Sequence, residues 1–254
     1  MPLSLGRIPY LNTEPFFGED NVRAATRVAP PRQMIDLVRG GQVDLAPLPV
    51  VASFDYPDEV TPVGALGIAT QAAAKSVLLF SRMPPEDLGG RCIGVIDETA
   101  TSARLLRVLL GLHYGVDRWQ PVPLEASAYD ACLLIGDRAL TQSSDDLGYD
   151  HVIDLATAWH AWTGLPFVFA AWMQREGAVA TEVSQAMEYL DQQLSLNLTD
   201  LGLLASRRPD LGMDASDVGA YLATFEYRFA PDTWEALQQF RELDAQVNMR
   251  APVS

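Results

Sequence analysis

Three hydroxyl side chains, Thr99, Thr101 and Ser102, fall within four positions between two patterned stretches. Before them, Cys92, Ile93, Val95 and Ile96 make a short, apolar, partly β-branched run that reads as a buried strand. After them, Leu105, Leu106, Val108, Leu109 and Leu110 recur at helical spacing. A hydroxyl at such a strand-to-helix turn can cap the helix. The first-turn N–H groups are unpaired and carry partial positive charge, so the same place can hold an anion. One cap needs one side chain, and three hydroxyls exceed that need. The stretch therefore points to a small carboxylate or phosphate ligand.

Two further neutral groups qualify. Asn12 lies in the loop Tyr10-Leu11-Asn12-Thr13-Glu14-Pro15, and Ser76 opens the strand-like run that continues to Phe80. Asn supplies a donor and an acceptor, and Ser one of each. The plainer alternatives are an Asx-turn ahead of Pro15 for Asn12 and a solvent-facing strand position for Ser76. Asp137 follows the apolar run at 131–135 and reads as the cap of a short helix. Trp159, Trp162 and Trp172 read as core. No Ser-His-Asp order, G-x-S-x-G elbow, phosphate loop or dinucleotide fingerprint is present. His113, His151 and His160 are isolated, and Cys92 and Cys132 read as small buried hydrophobes, so neither a metal nor a cofactor is expected.

The 254 residues carry 18 basic against 33 acidic side chains, a net charge of -15 that excludes nucleic acid and anionic membrane surfaces as partners. Lys75 is the single lysine, so an anionic ligand would rely on helix N-termini, hydroxyls and arginine. The opening residues lack a charged segment followed by an apolar one, and no apolar run approaches a membrane span, so a cytoplasmic protein is expected. The pattern carries no signal for an oligomeric state.

The elements that must position these groups alternate. Strands are expected at 3–9, 24–29, 43–49, 63–69, 76–80, 91–96, 120–124, 131–135 and 167–172, with helices at 31–39 and 101–113 and a strand end followed by a Trp-rich helix over 152–162. Everything after Gly177 is helical in pattern, at 179–197, 199–207, 215–223 and 232–247. This is an α/β protein with mostly parallel sheets. Crossings at the Pro- and Gly-rich connector 82–90 and at the apolar strand 167–172 divide it into a discontinuous first lobe, 1–81 with 171–254, and a second lobe, 82–170. A ligand would lie in the cleft between them.

Five motifs then stand in order: Tyr10-Leu11-Asn12-x-x-Pro15; Ser76-Val77-Leu78-Leu79-Phe80-Ser81; Thr101-Ser102 ahead of Leu-Leu; Leu134-Ile135-Gly136-Asp137-x-Ala139-Leu140; and 162–170, Trp-Thr-Gly-Leu-Pro-Phe-Val-Phe-Ala. Together they resemble the chorismate dehydratases of the futalosine route to menaquinone. The resemblance spans nearly the whole chain. It implies a two-lobed, type II periplasmic-binding-protein-like fold adapted to a cytoplasmic lyase that removes water from chorismate. The product would be 3-[(1-carboxyvinyl)oxy]benzoate. It places the family's catalytic Asn and Ser on Asn12 and Ser76. Substrate binding falls to Thr99, Thr101, Ser102, Asp137 and Thr163. No motif residue is suited as general base, so the substrate's own enolpyruvyl carboxylate is expected to take the proton. Two other readings remain: the sister 1,4-dihydroxy-6-naphthoate synthase, and a solute-binding protein that captures an anion without chemistry.

Overall fold

The computed structural model describes residues 3–18, 20–126 and 128–250. In chain order the strands are β1 (Gly6–Arg7), β2 (Arg27–Val28), β3 (Leu45–Pro49), β4 (Val60–Thr70), β5 (Val77–Ser81), β6 (Cys92–Val95), β7 (Gln120–Pro123), β8 (Ala131–Ile135), β9 (His151–Asp154), β10 (Phe167–Arg175) and β11 (Glu226–Arg228). The α-helices are α1 (Asp20–Ala25), α2 (Pro31–Arg39), α3 (Ala52–Asp55), α4 (Thr101–Val108), α5 (Gly136–Leu140), α6 (Ser144–Leu147), α7 (Leu155–Thr163), α8 (Ala180–Asn197), α9 (Leu201–Arg207), α10 (Ala215–Leu222) and α11 (Pro231–Arg250). No helix of the described residues is long and apolar enough to cross a membrane.

Local sequence explains several of these elements. Pro31 opens α2, where its missing N–H costs nothing, and Pro31, Met34, Ile35 and Val38 form its buried stripe at helical spacing. Pro47 and Pro49 do not break β3, because β3 is the edge strand of its sheet. Gly164, with φ of 74°, ends α7 in the left-handed conformation, and its N–H donates to the His160 carbonyl.

The chain forms two units, divided at 69/70, 167/168 and 230/231. The first contains the sheet β11-β4-β10-β3 and the short parallel pair β1-β2. Its core gathers Phe16, Phe17, Trp172 and Tyr227, with Phe16 edge-on to Trp172 at 5.4 Å and to Tyr227 at 5.6 Å. The second contains the sheet β7-β6-β8-β5-β9. There Trp159, Phe167 and Phe240 stack edge to face, at centroid distances of 4.9–5.8 Å. Trp159 and Trp172 are fully buried, as core tryptophans should be, while Trp162 is half-buried against His113.

Four expectations are corrected. The sheets are mixed rather than mostly parallel: β6 pairs parallel with β7 and β8, but β5 runs antiparallel to both neighbours, as do β10 to β3 and β11 to β4. A buried strand reads as the same apolar run in either direction, so the pattern carries no sign of it. The stretch after Gly177 is not purely helical, since Glu226–Arg228 adds an edge strand to the first sheet. The chain crosses three times, and the closing helix belongs to the second unit rather than to 171–254 of the first. Asp244 of α11 draws it there by accepting from Arg104 and Arg107 of α4. Cys132 is buried, but Cys92 is only half-buried.

Candidate functional site

Strand direction gathers most of the expected residues at one end of the five-stranded sheet. β6 and β8 are parallel, so their C-terminal ends lie together. β5 is antiparallel to β8, and Val77 pairs with Ile135, which brings the start of β5 to that same end. Ser76 precedes Val77, Gly136 and Asp137 follow Ile135, and the turn to α4 follows Val95. Since β5 and β6 flank β8, Ser76 lies roughly 10 Å, two strand spacings, from the turn that carries the three hydroxyls. The end of β9 joins them, with Asp154 paired to Leu78.

The hydroxyls do not cap. The cap position of α4 is Ala100, and no side chain accepts from the first-turn N–H groups. Thr99 is 5% and Thr101 3% exposed, yet the hydroxyl of each is buried with no hydrogen-bond partner among the described residues. Ser102 is buried beside them. A buried hydroxyl without a partner costs about 1–3 kcal/mol, so a fold that keeps two at one uncapped helix start is shaped for an acceptor. Of the two acids that precede them, Asp97 is exposed and Glu98 half-buried.

Ser76 is 1% exposed, so the solvent-facing alternative fails. Its carbonyl accepts from Gly136 N–H at 2.8 Å, and its hydroxyl donates to the Ala74 carbonyl at 3.3 Å. Lys75, exposed, stands at φ of 60°, the left-handed region that side chains seldom enter. Asp154 holds that kink. Its Oδ2 accepts from the N–H groups of Ala74 (3.0 Å) and Lys75 (2.7 Å), while Oδ1 caps α7 through Ala156 (2.9 Å) and Thr157 (3.1 Å). One carboxylate thus fixes the start of β5 and the start of α7.

Asp137 does not cap α5, contrary to expectation. The cap position is Ile135, Gly136 begins the helix at φ of 58°, and Asp137 sits in the first turn, where its charge suits the helix dipole. Thr163 lies at the opposite end of α7 from Asp154. Its hydroxyl donates to the Trp159 carbonyl (2.9 Å) and accepts from Leu165 N–H (3.2 Å), so it closes the helix.

Asn12 belongs to the first unit, in a 3-10 helix at Leu11–Phe16 rather than a loop. Its Oδ1 is buried without a partner among the described residues, so the Asx-turn is not formed. The same short helix carries Glu14, fully buried, whose carboxylate takes Arg7 at 2.9 Å on one oxygen and Arg23 on the other. Burial and the neighbouring guanidinium groups of Arg7, Arg207 and Arg208 push Arg23 down to about 10. Arg208 donates to the Pro9 carbonyl at 3.4 Å and Arg207 to that of Phe17 at 2.7 Å, so arginine brackets the segment from both sides. Glu14 and Asp154 were missed in the sequence. A glutamate between Thr13 and Pro15, in a run that ends Phe-Phe, was the one available signal for the first.

Comparison with known proteins extends the geometry. A family model described as menaquinone biosynthesis matches residues 3–246. A chorismate dehydratase of Thermus thermophilus is 29% identical, over 95% of this chain and 94% of its own. Among solved structures, the Candida albicans CA3427 gene product, which has the generic periplasmic binding protein fold, superposes with a TM-score of 0.68 at 10% identity. It covers 100% of this chain and 92% of its own. The periplasmic aliphatic sulphonate binding protein SsuA of Escherichia coli gives 0.61 at 13% identity, covering 97% and 92%. Those two likenesses establish the fold.

Proposed function

The chain belongs to the menaquinone-biosynthesis family, and from that premise we propose that it is a chorismate dehydratase, a cytoplasmic lyase of the futalosine route. The observation that carries this reading is the pair of buried, unpartnered hydroxyls of Thr99 and Thr101 at an uncapped helix start. Chorismate is a dianion, and one of its carboxylates supplies the acceptor those hydroxyls and the α4 N–H groups lack.

The chemistry is an elimination. The ring carbon that bears the enolpyruvyl ether loses its proton, the neighbouring carbon loses its hydroxyl, and the electrons of the broken C–H bond become the new ring double bond. Water leaves and the ring is aromatic. The departing proton is conjugated through the diene to the ring carboxylate, so negative charge develops there. Donors fixed in advance stabilise such charge more than water does, because they need no reorganisation. We assign Thr99, Thr101 and Ser102 to the ring carboxylate, and Ser76 and Asn12 to orienting the substrate and the leaving hydroxyl. The substrate's enolpyruvyl carboxylate takes the proton. Asp154 is unsuited to that role, since both its oxygens already accept backbone N–H groups.

The test is the Thr99→Val/Thr101→Val pair of substitutions. Loss of two charge-assisted hydrogen bonds should lower kcat/KM for chorismate by about tenfold or more. An unchanged kcat/KM would remove these hydroxyls from the substrate site.

A further inference from the structure

We propose that one face of the sheet in the second unit carries a separate binding pocket for a small aromatic carboxylate. Register builds its floor. Leu78 and Phe80 of β5 stand opposite Leu134 and Cys132 of β8, so the four side chains share one face. Gly94 of β6 stands beside Cys132. A Cβ at Gly94 would lie 3.0 Å from the Tyr129 ring, so the missing side chain lets that ring rest on the strand. Tyr149, 8% exposed, packs its ring 6.3 Å from that of Phe80.

Over this floor opens a cavity of about 490 Å³, walled by Tyr129, Tyr149 and Leu147 and reached by the side chains of Arg82 and Arg138. That size suits a one-ring ligand. Charge selects its class. Among the described residues, no aspartate or glutamate lines the cavity and neither arginine has an ion-pair partner. In a chain with 33 acidic side chains, two such guanidinium groups over an aromatic floor make a local cationic site. The Arg82 guanidinium sits 5.5 Å from the Tyr149 ring centroid, which holds it at the cavity wall. A carboxylate accepts two parallel N–H bonds from such a group, and a flat ring fills the space between two phenols.

This pocket is distinct from the hydroxyl cluster. Ser76, Thr99, Thr101 and Ser102 are not among its lining residues, and Arg82 lies about 20 Å from Ser76 along β5, while Arg138 adjoins Asp137 at the nearer end.

Calorimetric titration of the full chain with 3-hydroxybenzoate tests the proposal, with 3-hydroxybenzyl alcohol as the neutral counterpart. The acid should bind, the alcohol should bind at least about tenfold more weakly, and Arg82→Gln/Arg138→Gln should weaken the acid by a similar factor. Both arginines are exposed, so the variant should melt as the parent does. Thr101→Val should leave binding intact, which separates this pocket from the substrate site. No binding of the acid, equal binding of the alcohol, or loss in Thr101→Val with retention in the arginine variant would each overturn it. The readout needs no turnover, so it stands apart from the dehydratase assay.

Discussion

A threonine hydroxyl sealed from water with nothing to bond is a cost that a valine of the same shape avoids. Thr99 and Thr101 both bear it. Thr101→Val is therefore expected to raise the melting temperature while chorismate affinity falls, the trade between stability and function seen where a site is kept unsatisfied. A variant that loses both would assign the hydroxyl to the fold instead. Elsewhere at this scale a carboxylate is fully served. Burial pushes Asp44 up, but the Ser4 N–H (2.8 Å), the Ser4 hydroxyl (2.7 Å) and Arg175 (2.6 Å) outweigh it and hold Asp44 below its ordinary 3.8. With the folded value depressed, that stabilisation is complete above pH 3.8 and is lost as pH falls through the lower value. Ser4→Ala should cost about 2 kcal/mol at pH 7, in chemical unfolding, and the gap to the parent should narrow below pH 3.8. A constant gap would place the effect elsewhere. The hydroxyls were legible because they cluster in four positions. Asp154 was not, because two of its partners lie 79 and 80 residues away.

At the scale of elements, periodic pattern served the helices well: α2 occupies the expected 31–39, and α8, α9 and α10 fall within two residues of expectation. Pattern failed where an element is defined by its partner. Glu226–Arg228 is three residues between helices, and only pairing with β4 makes it a strand. The Asn12 segment is likewise organised by Glu14 and by arginines from 7 to 208, not by its own turn residues. The junction of β9 and α7 gives a sharper test. Asp154→Ala removes a helix cap together with the two bonds that hold the left-handed Lys75, and should cost about 2 kcal/mol or more. It should also lower kcat, because Ser76 follows the kink directly. Asp154→Asn, which keeps an accepting oxygen, should restore part of both. Equal loss of stability without any effect on turnover would detach Asp154 from the site.

For the whole molecule, the fold class was readable from the alternation of strands and helices and from the five motifs, but the third crossing was not. The apolar side of α11 looks the same whichever unit it covers. It is held to the second unit by Phe240, packed on Trp159 and Phe167, and by Asp244, 2% exposed, between Arg104 and Arg107. Asp244→Ala removes the buried carboxylate that Arg104 and Arg107 share and should destabilise by about 2 kcal/mol. Hydrogen exchange should then quicken in α4 and β6 while α2 and β3 stay protected. Faster exchange across both units alike would contradict the division. Family membership, an uncapped helix start and orphaned hydroxyls all lead to one reaction, and the most direct measurement is to mix the purified protein with chorismate, without added metal or cofactor, and follow it by mass spectrometry and absorbance. The expected result is a product one water lighter with the absorbance of a benzoate. Chorismate recovered unchanged, from protein shown to be folded, would contradict it.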